Sequence, residues 1–331
     1  MGISFLDVLI SCVALLILAI PGYILVKTKM LGDNAEKAFS TYVLYVAQTF
    51  MMFMCFQEYS YTPEIGKNML IVGGLSFIPY VVFALVLSFI KLKDENKTRI
   101  FRYGTIFSNV GFMGIPFLKM LFTGTPYLGE ILIYASVSIM VFNILNWTLG
   151  VYLITGNKKE ISLKKVALNP VIIAIVSGLL FFVILKKPIA DLAQQGTTLD
   201  GILEKLMKTF TYLSETVTPL SMTVIGMKLA KMDLKQILLD KDAYIVCALK
   251  LVVLPIFVAL VIAFLPISVG MKYALFLTLA MPTATSSTLF GIKYNVAPEF
   301  ASVVVLLSTL LSAVAIPLTF LLFSSGLGVV I

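Results

Sequence analysis

The stretch "SNVGFMGIP", residues 108–116, decides how this chain is read. It lies inside a run apolar enough to cross a membrane, yet it holds an asparagine, two glycines and a proline. Each is a poor choice for a helix facing lipid, because hydrocarbon offers no partner to a freed backbone group. The interruption falls about ten residues into its run, and at ~1.5 Å of rise per residue that is ~15 Å deep, the middle of a bilayer. A span broken at its centre needs a reason, and the rest of the chain supplies one.

The chain has 331 residues, 60% of them hydrophobic and 13% charged, with a mean hydropathy of +1.02. So little charge does not cover a soluble surface, so the composition is that of a polytopic membrane protein. Histidine is absent, which removes the usual general base and the usual zinc and haem ligand. Cys12, Cys55 and Cys247 all fall in apolar runs and read as small buried residues, with neither a disulfide nor a metal implied. The start of the chain lacks a basic leader region and carries Asp7, so it is kept as a first span, not a cleaved signal.

Apolar runs of helix length fall near 4–26, 38–57, 67–90, 99–122, 129–154, 166–185, 207–229, 242–264, 271–293 and 298–323. They predict an all-α integral membrane fold of ten transmembrane helices. Seventeen of the 25 basic residues lie in alternate connections, beginning with that between spans one and two. Seven lie in the others, and Lys250 lies within a span. The positive-inside rule then makes the first set cytoplasmic and both termini extracytoplasmic. The net charge of +8 thus reflects topology and implies no nucleic-acid partner.

The longest connection divides the chain into halves of five spans, and five is odd, so the halves enter the membrane in opposite senses. Residues 1–185 would hold the first inverted repeat, helices one to five, plus helix six. Residues 186–206 would form an extracytoplasmic connection, and 207–331 would carry helices seven to ten. Pro79 of span three matches Pro255 of span eight. Span nine, "KYALFLTLAMPTATSSTLFGIKY", is interrupted at Pro282, again near its middle, and Thr283, Thr285, Ser286 and Ser287 follow. Two interruptions at matched depth in an inverted repeat are the plan of a secondary transporter. Proline and glycine split each span into half-helices, whose N-termini offer free N–H groups and about half a positive charge each to an anion at the midplane. Either interruption alone would equally serve as a packing kink.

Taken together, "NVGFMGIPF", "AMPTATSSTLFGIKYN", "NILNWTLGVYL", "LSTLLSAVAIPLT" and "TPLSMTVIGMKLA" resemble the auxin efflux carrier family, whose bacterial members are often labelled malate permeases. The resemblance covers nearly the whole chain. It implies crossed, broken helices four and nine and an elevator mechanism, in which spans one, two, six and seven form a scaffold for a transport part made of three to five and eight to ten. It matches Asn109, Gly111, Gly114 and Pro116 in span four and Pro282 and Thr283 in span nine to the family's crossover. One departure is Gln48, in "YVAQTF", where many relatives have a proline; this brings Gln48 near the pathway.

Asn143 and Asn146 lie three apart on one face of span five and either line the site or bond neighbouring helices. Ser308 and Thr309 of span ten carry the same two readings. Lys250, ~12 Å deep by helix rise, is either a functional cation or a snorkelling one. Glu215 in span seven is either a coupling acid or faces water. No aspartate pair stands near the crossover, so an organic anion is the expected cargo in preference to a bare cation. The expectation is a small-carboxylate carrier of the plasma (inner) membrane without cofactor or metal, with H⁺ or Na⁺ as candidate coupling ion and a homodimer through the scaffold helices as candidate assembly.

Overall fold

The computed structural model describes residues 3–32, 34–57, 59–192, 198–232 and 234–326, and among these every regular element is helical. The main helices are α1 (Phe5–Lys27), α2 (Ala35–Cys55), α3 (Pro63–Ser88), α4 (Glu95–Ile106), α5 (Val110–Phe122), α6 (Leu128–Thr155), α7 (Pro170–Leu185), α8 (Thr198–Glu215), α9 (Val217–Lys231), α10 (Lys241–Ala263), α11 (Val269–Ala280), α12 (Ser286–Tyr294) and α13 (Pro298–Ser324). Six of them, α1, α2, α3, α6, α10 and α13, are each long and apolar enough to cross a membrane. A seventh span arises if α7 is counted with the bent segment Lys158–Ala167 before it.

The sequence expects three further spans, and each is divided here. Residues 99–122 become α4 and α5, and residues 271–293 become α11 and α12. Span seven, expected at 207–229, is helical from Thr198 to Lys231 with a break at Thr216. Pro219 explains that break, since it has no N–H to give the Glu215 carbonyl one turn earlier. The polar stretch that reads as connection up to residue 206 is an amphipathic helix, not a loop; residues 193–197 lie outside the described part.

Helix starts follow their capping residues. Ser4 and Asp7 form a reciprocal capping box at α1, Thr62 caps α3 ahead of Pro63, Asp94 accepts from the first N–H groups of α4, and Ser268 caps α11. Close helix approaches use glycine. A Cβ at Gly226 of α9 would sit 1.8 Å from the Ala19 carbonyl oxygen of α1, so no other residue fits without separating the two helices.

Contacts between connections sort them into two ends. Lys97, in the first turn of α4, pairs with Asp240, just before α10, at 3.3 Å. Lys231, the last residue of α9, pairs with Glu36, at the start of α2, at 3.0 Å, and Arg99 donates to the Thr155 carbonyl that closes α6 at 2.9 Å. At other ends of the helices, Ser268 donates to Glu130 at 3.1 Å and the Ile189 N–H to Gln57 at 2.9 Å.

Candidate functional site

The two breaks meet and pair with each other. The Asn109 N–H donates to the Pro282 carbonyl at 2.7 Å and the Ala284 N–H to the Phe107 carbonyl at 2.9 Å, an antiparallel bridge centred on Ser108 and Thr283. Buried backbone groups must be satisfied by protein or water, and here each break satisfies the other.

At the C-terminal ends of the half-helices, four carbonyls have partners supplied by the crossing. The Tyr103 carbonyl of α4 accepts from the Phe107 N–H at 3.0 Å, the Gly104 carbonyl from the Thr283 hydroxyl at 2.8 Å, and the Ile106 carbonyl from the Lys250 amine at 3.4 Å. In α11 the Leu279 carbonyl accepts from the Ser108 hydroxyl at 2.9 Å. The Thr283 N–H donates to the Ser308 hydroxyl of α13 at 3.1 Å. Pro116 has no N–H to offer the preceding turn, and the Phe112 carbonyl is taken by the Ser221 hydroxyl of α9 at 2.9 Å.

The N-terminal ends are different. Neither Asn109, ahead of α5, nor Thr285, ahead of α12, caps its helix with its side chain. The Asn109 amide nitrogen, buried within a residue 3% exposed, has no partner, and neither have the Ser287 and Thr288 hydroxyls in the first turn of α12. Both N-termini border a cavity of about 330 Å³, within the range of small-ligand sites. Asn109, Gly111, Asn143, Asn146, Thr285 and Ser286 all line it, and so does Gln48 from α2. Gln48 presses so closely on Gly111 that a Cβ there would lie 1.8 Å from its amide nitrogen.

The side chains around the cavity are set by bonds behind it. Asn143 donates its amide to the Ile139 carbonyl at 2.9 Å, which leaves its oxygen toward the cavity. Asn146 accepts the Tyr103 hydroxyl on its oxygen at 2.5 Å, which leaves its amide N–H groups available to a ligand. Tyr103 also bonds Ser286 at 2.6 Å and stacks on Phe107 with ring centroids 4.5 Å apart. Lys293, exposed at the end of α12, adds a positive charge to the lining and lies 5.5 Å from the ring of Trp147. No carboxylate is among the lining residues. The lining thus combines donors from Asn146 and Lys293 with one acceptor, the Asn143 oxygen.

Other residues singled out in the sequence stand elsewhere. Gly114 and Pro116 are buried within α5, while Pro282, Thr283 and Ser308 belong to the stitched side. Thr309 bonds its own helix and borders a separate apolar groove beside α1 and α9. Lys250 is fully buried behind the crossover, and Glu215 is exposed at the end of α8. Tyr103, Ser108, Trp147 and Lys293 were not singled out in the sequence. An aromatic four residues before a break carries no mark of its own, and Lys293 reads as one more residue at a span end.

Four five-residue π-helical turns occur among the described residues: Val43–Ala47, Val110–Gly114, Asn146–Gly150 and Leu249–Val253. Gln48 follows the first, Asn109 precedes the second, and Asn146 and Lys250 lie within the third and fourth. Such turns rotate the helix face that follows them and recur at functional sites.

Six or seven helices long and apolar enough to cross a membrane, with a polar cavity where two pairs of shorter helices meet, fit a multi-pass membrane transporter. The chain matches the membrane transport protein family over residues 7–320 and belongs to that family, which is that of the auxin efflux carriers. No curated protein matches it.

Proposed function

We propose that the protein is a secondary active carrier of a small organic anion, a malate-like carboxylate, and no enzyme. The observation that carries this is that two helix N-termini, at Asn109 and Thr285, neither capped by its side chain, border a cavity that has no acidic lining residue. Uncapped N-terminal N–H groups and the partial positive charge at each helix start favour an anion.

Counting α4 with α5, α8 with α9, and α11 with α12 as one broken span each, and α7 as a span, gives ten spans in a 5+5 inverted repeat. The two sets of connection contacts support this alternation. With the basic connections in the cytoplasm and both termini outside, the rim at Lys293 faces the cytoplasm and the cavity is inward-open. Gln48 of the scaffold against Gly111 of the transport part marks the surface along which an elevator would slide. The plasma (inner) membrane is the expected location.

The test is uptake of labelled malate into proteoliposomes, with and without an imposed proton gradient. Uptake that requires the protein, rises with an inward proton gradient and is lost in Asn109→Ala is the expected result. Uptake indifferent to the gradient indicates a uniporter or exchanger. A sodium-coupled symporter of the bile-acid type is the second reading, and it requires a cation site at the crossover.

A further inference from the structure

Among the described residues Lys250 is the one buried lysine, arginine, aspartate or glutamate, and the cavity does not use it. Its amine donates to the Ser108 hydroxyl and to the Ile106 carbonyl. Ile106 is the last residue of α4, and Ser108 in turn donates to Leu279 in the last turn of α11. One amine therefore serves the C-terminal ends of both half-helices, directly in one case and through a single hydroxyl in the other. Those ends each carry about half a negative charge on freed carbonyls. No carboxylate among the described residues pairs with Lys250; the ion pairs there are those of Lys97, Arg99 and Lys231, near the connections.

In transporters with broken helices, carbonyls of unwound segments and C-terminal half-helix ends are the groups that coordinate a coupling cation. Here those same groups are ligands of a lysine. We propose that Lys250 is a tethered cation: its amine fills the position a bound sodium ion would take between the two half-helix C-termini, so that carriage does not use sodium there. The π-turn Leu249–Val253, just before Pro255, places the amine. Proline lacks the N–H that would continue the ladder, and the widened turn carries Lys250 toward α4. The statement about coupling rests on the carrier reading above, whereas the statement about the cation does not.

The experiment has two readouts. The first is the melting temperature of purified wild type, Lys250→Ala and Lys250→Met in sodium chloride, choline chloride and methylammonium chloride at equal ionic strength. The second is uptake of labelled malate and of a set of other small carboxylates in sodium and in choline. Wild type should melt at the same temperature in all three salts, since a filled site gains nothing from a free cation. Lys250→Ala should melt lower in choline and recover in methylammonium. Lys250→Met, which keeps the volume but not the charge, should melt lower and not recover. Wild-type uptake should change by less than about twofold between sodium and choline, and should fall by about tenfold or more in Lys250→Met.

Sodium-dependent melting or uptake of wild type would overturn the proposal. So would variants that melt and transport as wild type does. If no carboxylate is taken up but the melting pattern holds, the carrier reading fails and the tethered cation stands. Should Lys250→Ala not fold, the wild-type response to sodium and the Met variant still decide.

Discussion

The two sides of the crossover are made from the same two breaks and treated in opposite ways. Where the half-helices end, the Tyr103, Gly104, Ile106 and Leu279 carbonyls each have a donor, supplied by backbone, Thr283, Lys250 and Ser108. Where the half-helices begin, Asn109, Ser287 and Thr288 keep polar atoms with no partner. A buried unsatisfied donor costs about 1–3 kcal/mol. Of the residues at the half-helix starts, Asn109 and Thr285 line the cavity, and there the proposed ligand would sit. On the proposed reading the stitched side holds the crossing together and the open side binds.

The largest expected effect comes from removing the open side's central donor. Asn109→Ala should reduce uptake by about tenfold to a hundredfold, the worth of one charge-assisted hydrogen bond or slightly more. Its melting temperature should not fall, because the lost amide has no protein partner. A fall of several degrees would mean that Asn109 is structural and that the contrast between the two sides is false.

Next comes the contact between α2 and α5. A Cβ at Gly111 would meet the Gln48 amide nitrogen at 1.8 Å, so Gly111→Ala must push Gln48 out of the cavity or part the helices. Uptake should fall by about tenfold, and Gln48→Ala in the same chain should restore much of it, a non-additivity that only neighbours show. Without that rescue, Gly111 is needed for its backbone and not for the close approach.

On the stitched side the sign reverses. Thr283→Val keeps the shape but removes the hydroxyl that satisfies Gly104, which should cost about 1–3 kcal/mol of stability. Melting should drop while the substrate concentration for half-maximal uptake stays within about twofold, since the hydroxyl points away from the cavity.

Much of this was legible in the sequence because lipid makes misfits conspicuous. Asn109, Gly111, Pro282 and the hydroxyls after it are residues that a membrane helix has no use for, and their depth alone put them at one level. Depth does not say which side of the crossing a residue faces. Thr283 is stitched and Thr285 lines the cavity, two positions apart, because the break leads from extended backbone into the first turn of α12. The partner of Lys250 lies 142 residues away in the chain, beyond any local pattern. Span seven was placed from residue 207 because the charges before it read as connection, whereas an amphipathic helix carries them on one exposed face. The π-turns left no trace except the prolines that follow two of them, Pro116 and Pro255.

Tyr103 makes the smallest and most discriminating prediction. Its hydroxyl touches both sides: it donates to Asn146 and meets Ser286, and the ring leans on Phe107, whose carbonyl belongs to the stitched bridge. It does not line the cavity, so it acts only by fixing which face Asn146 turns outward. Tyr103→Phe frees the Asn146 oxygen to rotate toward the ligand, where it would repel a carboxylate. The expected outcome is a rise of about two- to fivefold in the half-saturating concentration, an unchanged maximal rate and melting lowered by no more than about 1 kcal/mol in stability. Asn146→Ala should abolish the difference between Tyr and Phe at position 103, because there is then no amide left to orient. If the effect of the phenylalanine persists in that background, Tyr103 acts on the crossing itself, and the line between the binding side and the holding side must be drawn through Ser286 instead.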